Sequence, residues 1–205
     1  KWYKNVLSQQ SNFSDSQLAD TIWCNDKSVV TDTTFNPKSL TLGTNYGYAK
    51  NKNYYSTAKR LVQTSSWIKG GTGPSLICPN DNNGGKLSKF TVSDTEYGNG
   101  ALSGYGKIGL LTADEVVFAG STLYGFNLAY LSVFSSSGDW WTLSPSYYDG
   151  KSTVWSVYGD DGGLAGNSVD YYEGVIRPAL SLVSTTKVTG LGTATNPYKI
   201  VSWID

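Results

Sequence analysis

The chain contains no histidine and no methionine, and it has only two cysteines and three glutamates among 205 residues. The absence of histidine excludes the Ser–His–Asp and Cys–His sets and every other histidine-based acid–base catalyst. It also leaves too few ligands for a zinc or iron site. Paired carboxylates, as in glycosidases, are the catalytic arrangement that remains. We therefore expect a protein that is not an enzyme and has no metal cofactor.

A net charge and long apolar runs are absent too. Sixteen basic and sixteen acidic side chains cancel, so charge does not draw the chain to nucleic acid. The sequence has no apolar run of about eighteen residues that could cross a membrane. Its first ten residues lack the apolar core of a signal peptide. We expect a processed chain that binds no nucleic acid and does not insert into a membrane.

Glycine and aromatic residues are abundant: the chain has 23 glycines, 15 tyrosines and 7 tryptophans. Aromatic residues among small polar ones favour short strands joined by tight turns. Tyrosine and tryptophan also supply large contact areas in binding surfaces. The alternative is that these rings simply fill the core of a β-rich protein.

Two helix-start signals occur in the N-terminal half. Ser14 followed by Gln17 is a capping-box pattern. It predicts a helix on which Leu18 and Ile22 share a face. A shorter candidate, "STAKRLVQT", begins at Ser56. The rest of this half is rich in Gly, Pro, Asn and Ser, which predicts loops.

The clearest local signal is "GLLTADEVVFAGS". Thr112 and Glu115 form a second capping box, and Asp114 adds negative charge at the positive end of the helix. Gly120 is suited to the left-handed conformation that ends a helix. This pattern predicts a short helix within residues 112–120.

The C-terminal half has the composition of strands. "WWTLS" and "STVWSVY" are rich in β-forming residues, and "GDDGG" predicts the hairpin connection to "LAGNSV". "GVIRPALSLV" and "YKIVSW" complete the predicted strands. The fold class is α+β, with few helices and short antiparallel strands concentrated in the C-terminal half. We expect a single domain over 1–205, with a helix- and loop-rich part at 11–100 and the sheet core at 101–205.

Several segments together resemble a family of domains of unknown function. They are "IGLLTADEVVFAG", "WWTLSPSYYDGKSTVWSVYGDDGGL", "GVIRPALSL" and "GTATNPYKIV", preceded by "KWYKNVL", "LADTIWCND" and "GNGAL". The resemblance covers nearly the whole chain. The family is found in secreted and surface proteins of Gram-positive bacteria, sometimes behind prepilin-like N-terminal helices. This implies an extracellular or cell-surface location, with residues 1–10 as the end of a helical stem.

The order of the W-T-x-S-P, V-W-x-V and G-V-x-R-P motifs also resembles the C-type-lectin-like fold, which formylglycine-generating enzymes share. Those enzymes use a cysteine pair in their C-terminal half, whereas both cysteines here precede residue 79, so their activity is not implied. The family motif G-V-R-P carries one extra residue here, in Val175-Ile176-Arg177-Pro178. That insertion predicts a β-bulge.

Arg177 raises a question, because it lies in the middle of an apolar segment next to Pro178. A buried guanidinium must be paired or stacked on a ring, and proline restricts a strand to an edge or a bulge. We expect a structural Arg177 that joins helix to sheet, with an anion-binding arginine as the alternative. Its candidate partners are Asp114 and Glu115, and its candidate stacking planes are Trp140, Trp141 and Trp155. Strand alternation would place Val175, Arg177, Ala179 and Ser181 on one face, and Ile176, Leu180 and Leu182 on the other.

The lectin-like resemblance implies ligand contacts in the segment that ends at Tyr172. Aromatic faces with a polar rim bind carbohydrate, and protein partners use the same ingredients. Alternation along strands would place about half of these rings in the core instead. The candidate ligand-binding residues are Tyr147, Tyr148, Trp155, Tyr158, Asp160, Asp161, Asn167 and Tyr171, with Asp149 and Tyr172 beside them.

The two cysteines lack the paired spacing of a zinc site. In a secreted protein Cys24 and Cys78 would form a disulfide, whereas two buried free thiols are the alternative. Oxygen-rich loops could hold calcium, although Asp, Asn and Gly build ordinary turns as well. Those loops are Asn25-Asp26, Asn80–Asn83 and Asp160-Asp161.

Three functions remain from this reading. The first is a non-catalytic extracellular adhesion module whose aromatic surface recognises a glycan or a surface protein. The second is a structural subunit of a pilin-like assembly, which would bury that surface against copies of itself. The third is a carboxylate-based hydrolase, which is the least favoured because the common catalytic residue types are missing.

Overall fold

The computed structural model describes residues 2–11, 13–19, 22–26, 28–30, 53–61, 72–78, 85–89, 107–123, 138–148, 150–170, 174–193 and 195–202. The helices are α1 (Trp2–Asn5), α2 (Ser56–Leu61) and α3 (Ala113–Phe118), with 3₁₀ turns at Leu7–Gln9 and Asp15–Gln17. The strands are β1 (Ile22–Asp26), β2 (Asn53–Tyr54), β3 (Gly85–Lys89), β4 (Ile108–Gly109), β5 (Trp140–Tyr148), β6 (Ser152–Val157), β7 (Leu164–Ser168), β8 (Ala179–Leu180), β9 (Lys187–Thr189) and β10 (Lys199–Ser202).

The strands form one four-stranded sheet, β2-β5-β6-β7, and three two-stranded sheets, β1 with β3, β4 with β8 and β9 with β10. Short helices and short antiparallel sheets confirm the predicted α+β class. Within the described ranges no helix is long and apolar enough to cross a membrane.

The chain divides into two compact units. The first comprises Lys1–Trp23, Ser88–Gly109 and Pro178–Asp205, and the second comprises Cys24–Leu87 and Leu110–Arg177. The single domain over 1–205 stays a prediction.

The second unit is built on the four-stranded sheet, whose pairs are all antiparallel. Aromatic and β-branched residues in β5 and β6 favour strands. Gly150 (φ 104°) lies in the turn between β5 and β6, and Gly162 (φ 70°) lies in the turn between β6 and β7. Both turns need glycine because a Cβ would clash at positive φ. The predicted strands and the "GDDGG" hairpin are confirmed.

β5 is bonded along both edges. One edge pairs with β6, with register shifts between Trp141 and Tyr147 that accommodate Pro145, which has no N–H to donate. The other edge is shared by three separate segments. The bonds run from the N–H of Trp141 to the carbonyl of Val175 (3.1 Å), from that of Leu143 to Leu111 (2.8 Å), and from that of Tyr55 to the carbonyl of Ser146 (3.0 Å).

The main core packs against one face of this sheet and includes α2 and α3. Trp155 on β6 is 3% exposed and Leu164 on β7 is fully buried. Strand alternation places both on the face that meets the helices. The buried cluster is Val30, Ala58, Leu61, Ala113, Val116, Leu123, Trp140, Trp155, Val157 and Leu164, with Val117 and Tyr147 partly buried against it.

The helix predicted after Thr112 is confirmed as α3. The Thr112 hydroxyl accepts the Glu115 N–H (3.1 Å), and the Glu115 carboxylate accepts the Thr112 N–H (2.7 Å). Gly120 follows the helix with φ 106°. The N–H of Ala113 donates to the Ser144 hydroxyl of β5 (3.0 Å), which fixes the start of the helix on the sheet.

Replacing Thr112 by alanine removes one half of this capping box. We expect the free energy of unfolding to fall by about 1 kcal/mol, because one helix N–H loses its acceptor. Urea denaturation measures the loss. Thr112→Ser keeps the hydroxyl and should recover most of it; equal loss in both variants would contradict a capping role.

The first unit joins the N-terminus to the C-terminal segment. The Tyr3 hydroxyl donates to the Asp15 carboxylate, and its ring meets Phe13 edge-on at 6.2 Å. Leu18 forms an antiparallel bridge with Leu182, and the Lys107 ammonium donates to the Leu18 carbonyl (2.8 Å). Residues 2–9 are largely helical, whereas their role as the end of a stem stays a prediction.

The helix predicted after Ser14 is wrong beyond its first turn. The capping box between Ser14 and Gln17 is present, but it opens only the 3₁₀ turn Asp15–Gln17. Leu18 is already extended, with φ −83° and ψ 121°, and β1 begins at Ile22. A capping box marks a start and not a length, and the bridge from Leu18 to Leu182 supplies a competing partner for the backbone.

The continuous strand predicted through Arg177 and Pro178 is also wrong. Val175 makes one parallel bridge to Trp140, residues 176–178 belong to no strand, and pairing resumes at β8. Pro178 has no N–H for a ladder, so the break falls there. The predicted alternation of faces therefore does not extend across residues 176–178, because they belong to no strand.

Candidate functional site

Three segments converge at one end of the four-stranded sheet: residues 138–141, which lead into β5, residues 158–163 and residues 174–177. We call this region the three-loop end. The N–H of Val175 donates to the Asp139 carbonyl (2.8 Å), and that of Tyr158 donates to the Gly163 carbonyl (2.9 Å). The Asp139 carboxylate accepts the Gly159 N–H (3.1 Å), which joins the first two loops. The backbone itself therefore positions the side chains of this end.

Two glycines permit the close approach of these loops. A Cβ added to Gly159 would lie 2.7 Å from the backbone of Gly138. A Cβ added to Gly174 would lie 2.2 Å from the Trp141 indole. Neither distance is compatible with van der Waals contact, so the loops meet only because these positions lack side chains.

We expect Gly174→Ala to reduce stability by about 1–3 kcal/mol, since the rigid indole must move to admit a methyl group. Thermal and urea unfolding measure the change. Trp141→Leu in the Gly174→Ala background should recover part of the loss, because the two changes share one space. Additive losses in the double variant would contradict the contact.

Tyr158 lies beside three carboxylates at the three-loop end. Burial raises its pKa, and the negative charges of Asp139, Asp161 and Asp160 raise it further. The phenol therefore stays protonated at neutral pH and can donate a hydrogen bond to a ligand. Asp161 accepts the Gly163 N–H (2.7 Å) within its turn, whereas the side chain of Asp160 is exposed.

The third loop adds apolar and cationic groups. Val175 is 38% exposed and Ile176 60% exposed. The Arg177 guanidinium carbon lies 5.4 Å from the centre of the Trp140 ring, a cation–π distance. Burial lowers the pKa of Arg177, although an arginine remains charged in a protein. The end thus presents aromatic, acidic and apolar groups together.

Among the described contacts, neither of the candidate partners Asp114 and Glu115 bonds Arg177, whereas one of its candidate stacking planes, Trp140, lies at a cation–π distance. The Asp114 carboxylate is taken by Arg60, with Nε–Oδ1 and Nη2–Oδ2 distances of 2.9 Å. Glu115 is engaged in the capping box. Both carboxylates accept other donors: the capping box of Glu115 was predicted from the sequence, whereas the bond from Arg60 to Asp114 was not.

The predicted ligand residues do not form one platform. Tyr147 and Tyr148 lie where β5 ends, and Asn167 lies near the end of β7, across the sheet from the three-loop end. The length of β6, about 3.3 Å per residue, separates the two groups. Trp155 is 3% exposed and belongs to the core, so its ring offers no surface to a ligand. Tyr171, with Asp149 and Tyr172, lies outside the described residues.

The Asn167 side chain has a structural partner as well. Its amide donates to the Ser156 hydroxyl (2.7 Å), which in turn donates to the Ala165 carbonyl (3.3 Å). Of the eight predicted residues, Tyr158, Asp160 and Asp161 come together at the three-loop end. Val175 and Ile176 complete that surface, and the signal that could have found them is that they form an apolar pair just before Arg177. Trp141, predicted only as a stacking plane for Arg177, lies beside them.

A buried ion network was missed altogether. Arg60 of α2 bonds Asp114 at the start of α3, and its Nη1 lies 2.9 Å from the Asp26 carboxylate of β1. The side chains are 14%, 4% and 5% exposed for Arg60, Asp26 and Asp114. Burial lowers the pKa of Arg60, but the bonds and charges of Asp114 and Asp26 outweigh it and raise that pKa overall. This network connects β1, α2 and the start of α3.

The cysteines form the disulfide Cys24–Cys78, as predicted. Cys24 lies on β1, two residues before Asp26, and Cys78 ends the segment 72–78. Within that segment the N–H of Ser75 donates to the Asp114 carboxylate (2.8 Å). The disulfide and the ion network therefore anchor the same strand and the same loop.

Two of the predicted calcium loops, Asn25-Asp26 and Asp160-Asp161, lie in the described chain. The Asp26 carboxylate lies 2.9 Å from Arg60 and accepts the N–H of Ser28 (3.0 Å). No group of three or more acidic or cysteine side chains with metal-binding geometry occurs in the part of the chain that the structure describes. The loop Asn80–Asn83 lies outside it.

The chain is of the α+β class and carries a disulfide, with a surface of loops at one end of its four-stranded sheet. Residues 2–184 match the family described as a domain of unknown function, DUF6273. The chain belongs to this family. The search of curated proteins gave no match, and the search of solved structures gave none either.

Proposed function

We propose that the chain is a non-catalytic extracellular module of a bacterial surface protein, which binds a glycan or a protein through the three-loop end. The observation that carries the proposal is the convergence of three sequence-distant loops that present Tyr158, Asp160 and Ile176 on a rigid sheet. A partly exposed ring, an apolar patch and a polar rim are the ingredients of such sites.

The composition and the disulfide support this proposal. The lack of histidine argues against the commonest catalytic sets, and a disulfide is typical of proteins outside the reducing cytosol. We also propose that the fold is a version of the C-type-lectin-like fold and that the protein comes from a Gram-positive bacterium. The first statement rests on the order of the tryptophan, glycine and Arg-Pro motifs, and the second rests on the resemblance of the chain's segments to a family of secreted and surface proteins.

A glycan array and an array of purified cell-surface proteins test the proposal. We expect binding that falls at least tenfold in Tyr158→Ala/Ile176→Ser. The matched control is Tyr148→Ala, at the other end of the sheet, which should bind as the unaltered chain does. Trp155 is unsuitable for this test, because its removal would open a cavity in the core. Binding that survives in the first variant and falls in the control would overturn the proposal.

A structural subunit of a pilin-like assembly is the second candidate. The observation that favours it lies in the first unit, where β9 and β10 form a hairpin whose large apolar side chains are exposed. Such a surface on a soluble domain commonly marks a contact with another molecule.

A further inference from the structure

The hairpin of β9 and β10 is exposed over most of its length. Its apolar side chains are among the most exposed of the described chain: Leu191 is 74% exposed, Tyr198 65% and Val188 47%. Neither strand pairs with a third strand in the described residues. An isolated two-stranded ribbon is marginally stable in water, so this element gains stability from whatever covers it.

The hairpin has an apolar face and a basic face. Val188 lies directly opposite Ile200, and alternation places Tyr198 on the same face as both. The Tyr198 ring packs over Gly192, where an added Cβ would lie 2.6 Å from a ring carbon. Lys199 pairs with Thr189 on the other face, and Lys187 shares that face.

The charges of the hairpin are all of one sign. Residues 184–202 contain Lys187 and Lys199 and no acidic residue. The three-loop end has the opposite balance, with Asp139, Asp160 and Asp161 against Arg177. It also carries exposed apolar side chains, Val175 and Ile176. The two surfaces are therefore complementary in charge and alike in exposing aliphatic groups.

We propose that the β9–β10 hairpin docks on the three-loop end of a second copy of this chain. The inference rests on the proposed function, since it names a partner for that same surface. Apolar side chains of the ribbon cover Val175 and Ile176. The lysines have long flexible stems, so on a ribbon two strands wide they reach around its edge to the carboxylates.

A second copy is favoured over a foreign partner by the distribution of charge. The whole chain has no net charge, so copies do not repel one another, while its basic hairpin and its acidic end attract. The contact joins two different surfaces and is heterologous, so repetition produces a ring or an open chain of copies.

Sedimentation velocity over a range of concentrations tests the contact with the full 205-residue chain. We expect association that weakens as salt is raised, because opposite charges attract across the contact. Lys187→Glu/Lys199→Glu should weaken self-association about tenfold or more, and so should Asp160→Lys/Ile176→Lys. A mixture of the two variants should associate again, since each hairpin then meets an end of opposite charge.

Lys4→Glu/Lys151→Glu is the matched control, with the same change in net charge at other exposed positions; it should associate as the unaltered chain does. Circular dichroism verifies that all variants are folded. A chain that stays monomeric at every concentration, or variants that associate normally, would overturn this inference. If array ligands are still lost in Asp160→Lys/Ile176→Lys while the chain is monomeric, the binding module stands and only the second copy is rejected. If the chain neither binds any array ligand nor self-associates, both proposals fail.

Discussion

Arg60→Met is expected to lower the free energy of unfolding by about 3–5 kcal/mol. The substitution keeps much of the side-chain volume but removes the guanidinium that bonds Asp26 and Asp114. Two carboxylates, 4% and 5% exposed, would then be buried without their cation. Urea unfolding at neutral pH measures the loss.

The chain contains a matched control in an exposed ion pair. Lys151 lies 2.8 Å from Asp170, with side chains 67% and 61% exposed. Water and salt screen such a pair, so Lys151→Met should leave the unfolding midpoint nearly unchanged. Equal losses in the two methionine variants would contradict the importance of burial.

Removal of the disulfide is the second large effect. Cys24→Ser/Cys78→Ser is expected to lower the free energy of unfolding by about 4 kcal/mol. Without the bond, the unfolded chain gains much conformational freedom, because the cysteines are 54 positions apart. Reduction of the unaltered protein should cost a similar free energy of unfolding and should lower the melting temperature accordingly. Two reactive thiols in the denatured, unreduced protein would show that the bond is absent.

The two effects should not be additive. Cys24 and Asp26 lie on β1, and the segment that ends at Cys78 is also tied to Asp114 through Ser75. Once either the disulfide or the ion network is removed, the other contact holds a strand that is already less firmly fixed. We expect the triple variant to lose less than the sum of the separate losses, as is usual for connected sites.

Features encoded within a few residues could be predicted from the sequence. The capping box of Thr112 and Glu115 contains its own partners, and so does the Gly162 turn between two β-forming segments. Each was found in place because the decisive contacts are local. The disulfide was expected only on the assumption of a secreted protein, with two buried free thiols as the alternative, and the structure shows the disulfide.

Features that depend on distant partners were missed. Arg60 reaches Asp114 across 54 positions, and nothing near either residue indicates the other. Val175 forms a bridge with Trp140, whereas Leu182 forms a bridge with Leu18. The single strand predicted from Val175 to Leu182 is therefore interrupted, because its two ends pair with different parts of the chain. The candidate site was only partly predicted for the same reason. β5 and β6 are antiparallel, so Tyr147 near the end of β5 and Tyr158 just after β6 lie at opposite ends of the sheet.

Amide NMR shifts of the labelled chain, recorded while the tightest ligand from the arrays is added, test most directly whether the three-loop end is the binding surface. The account predicts that shifts concentrate at residues 138–141, 158–163 and 174–177. Shifts concentrated around the turn between β5 and β6, with these three loops unchanged, would contradict it.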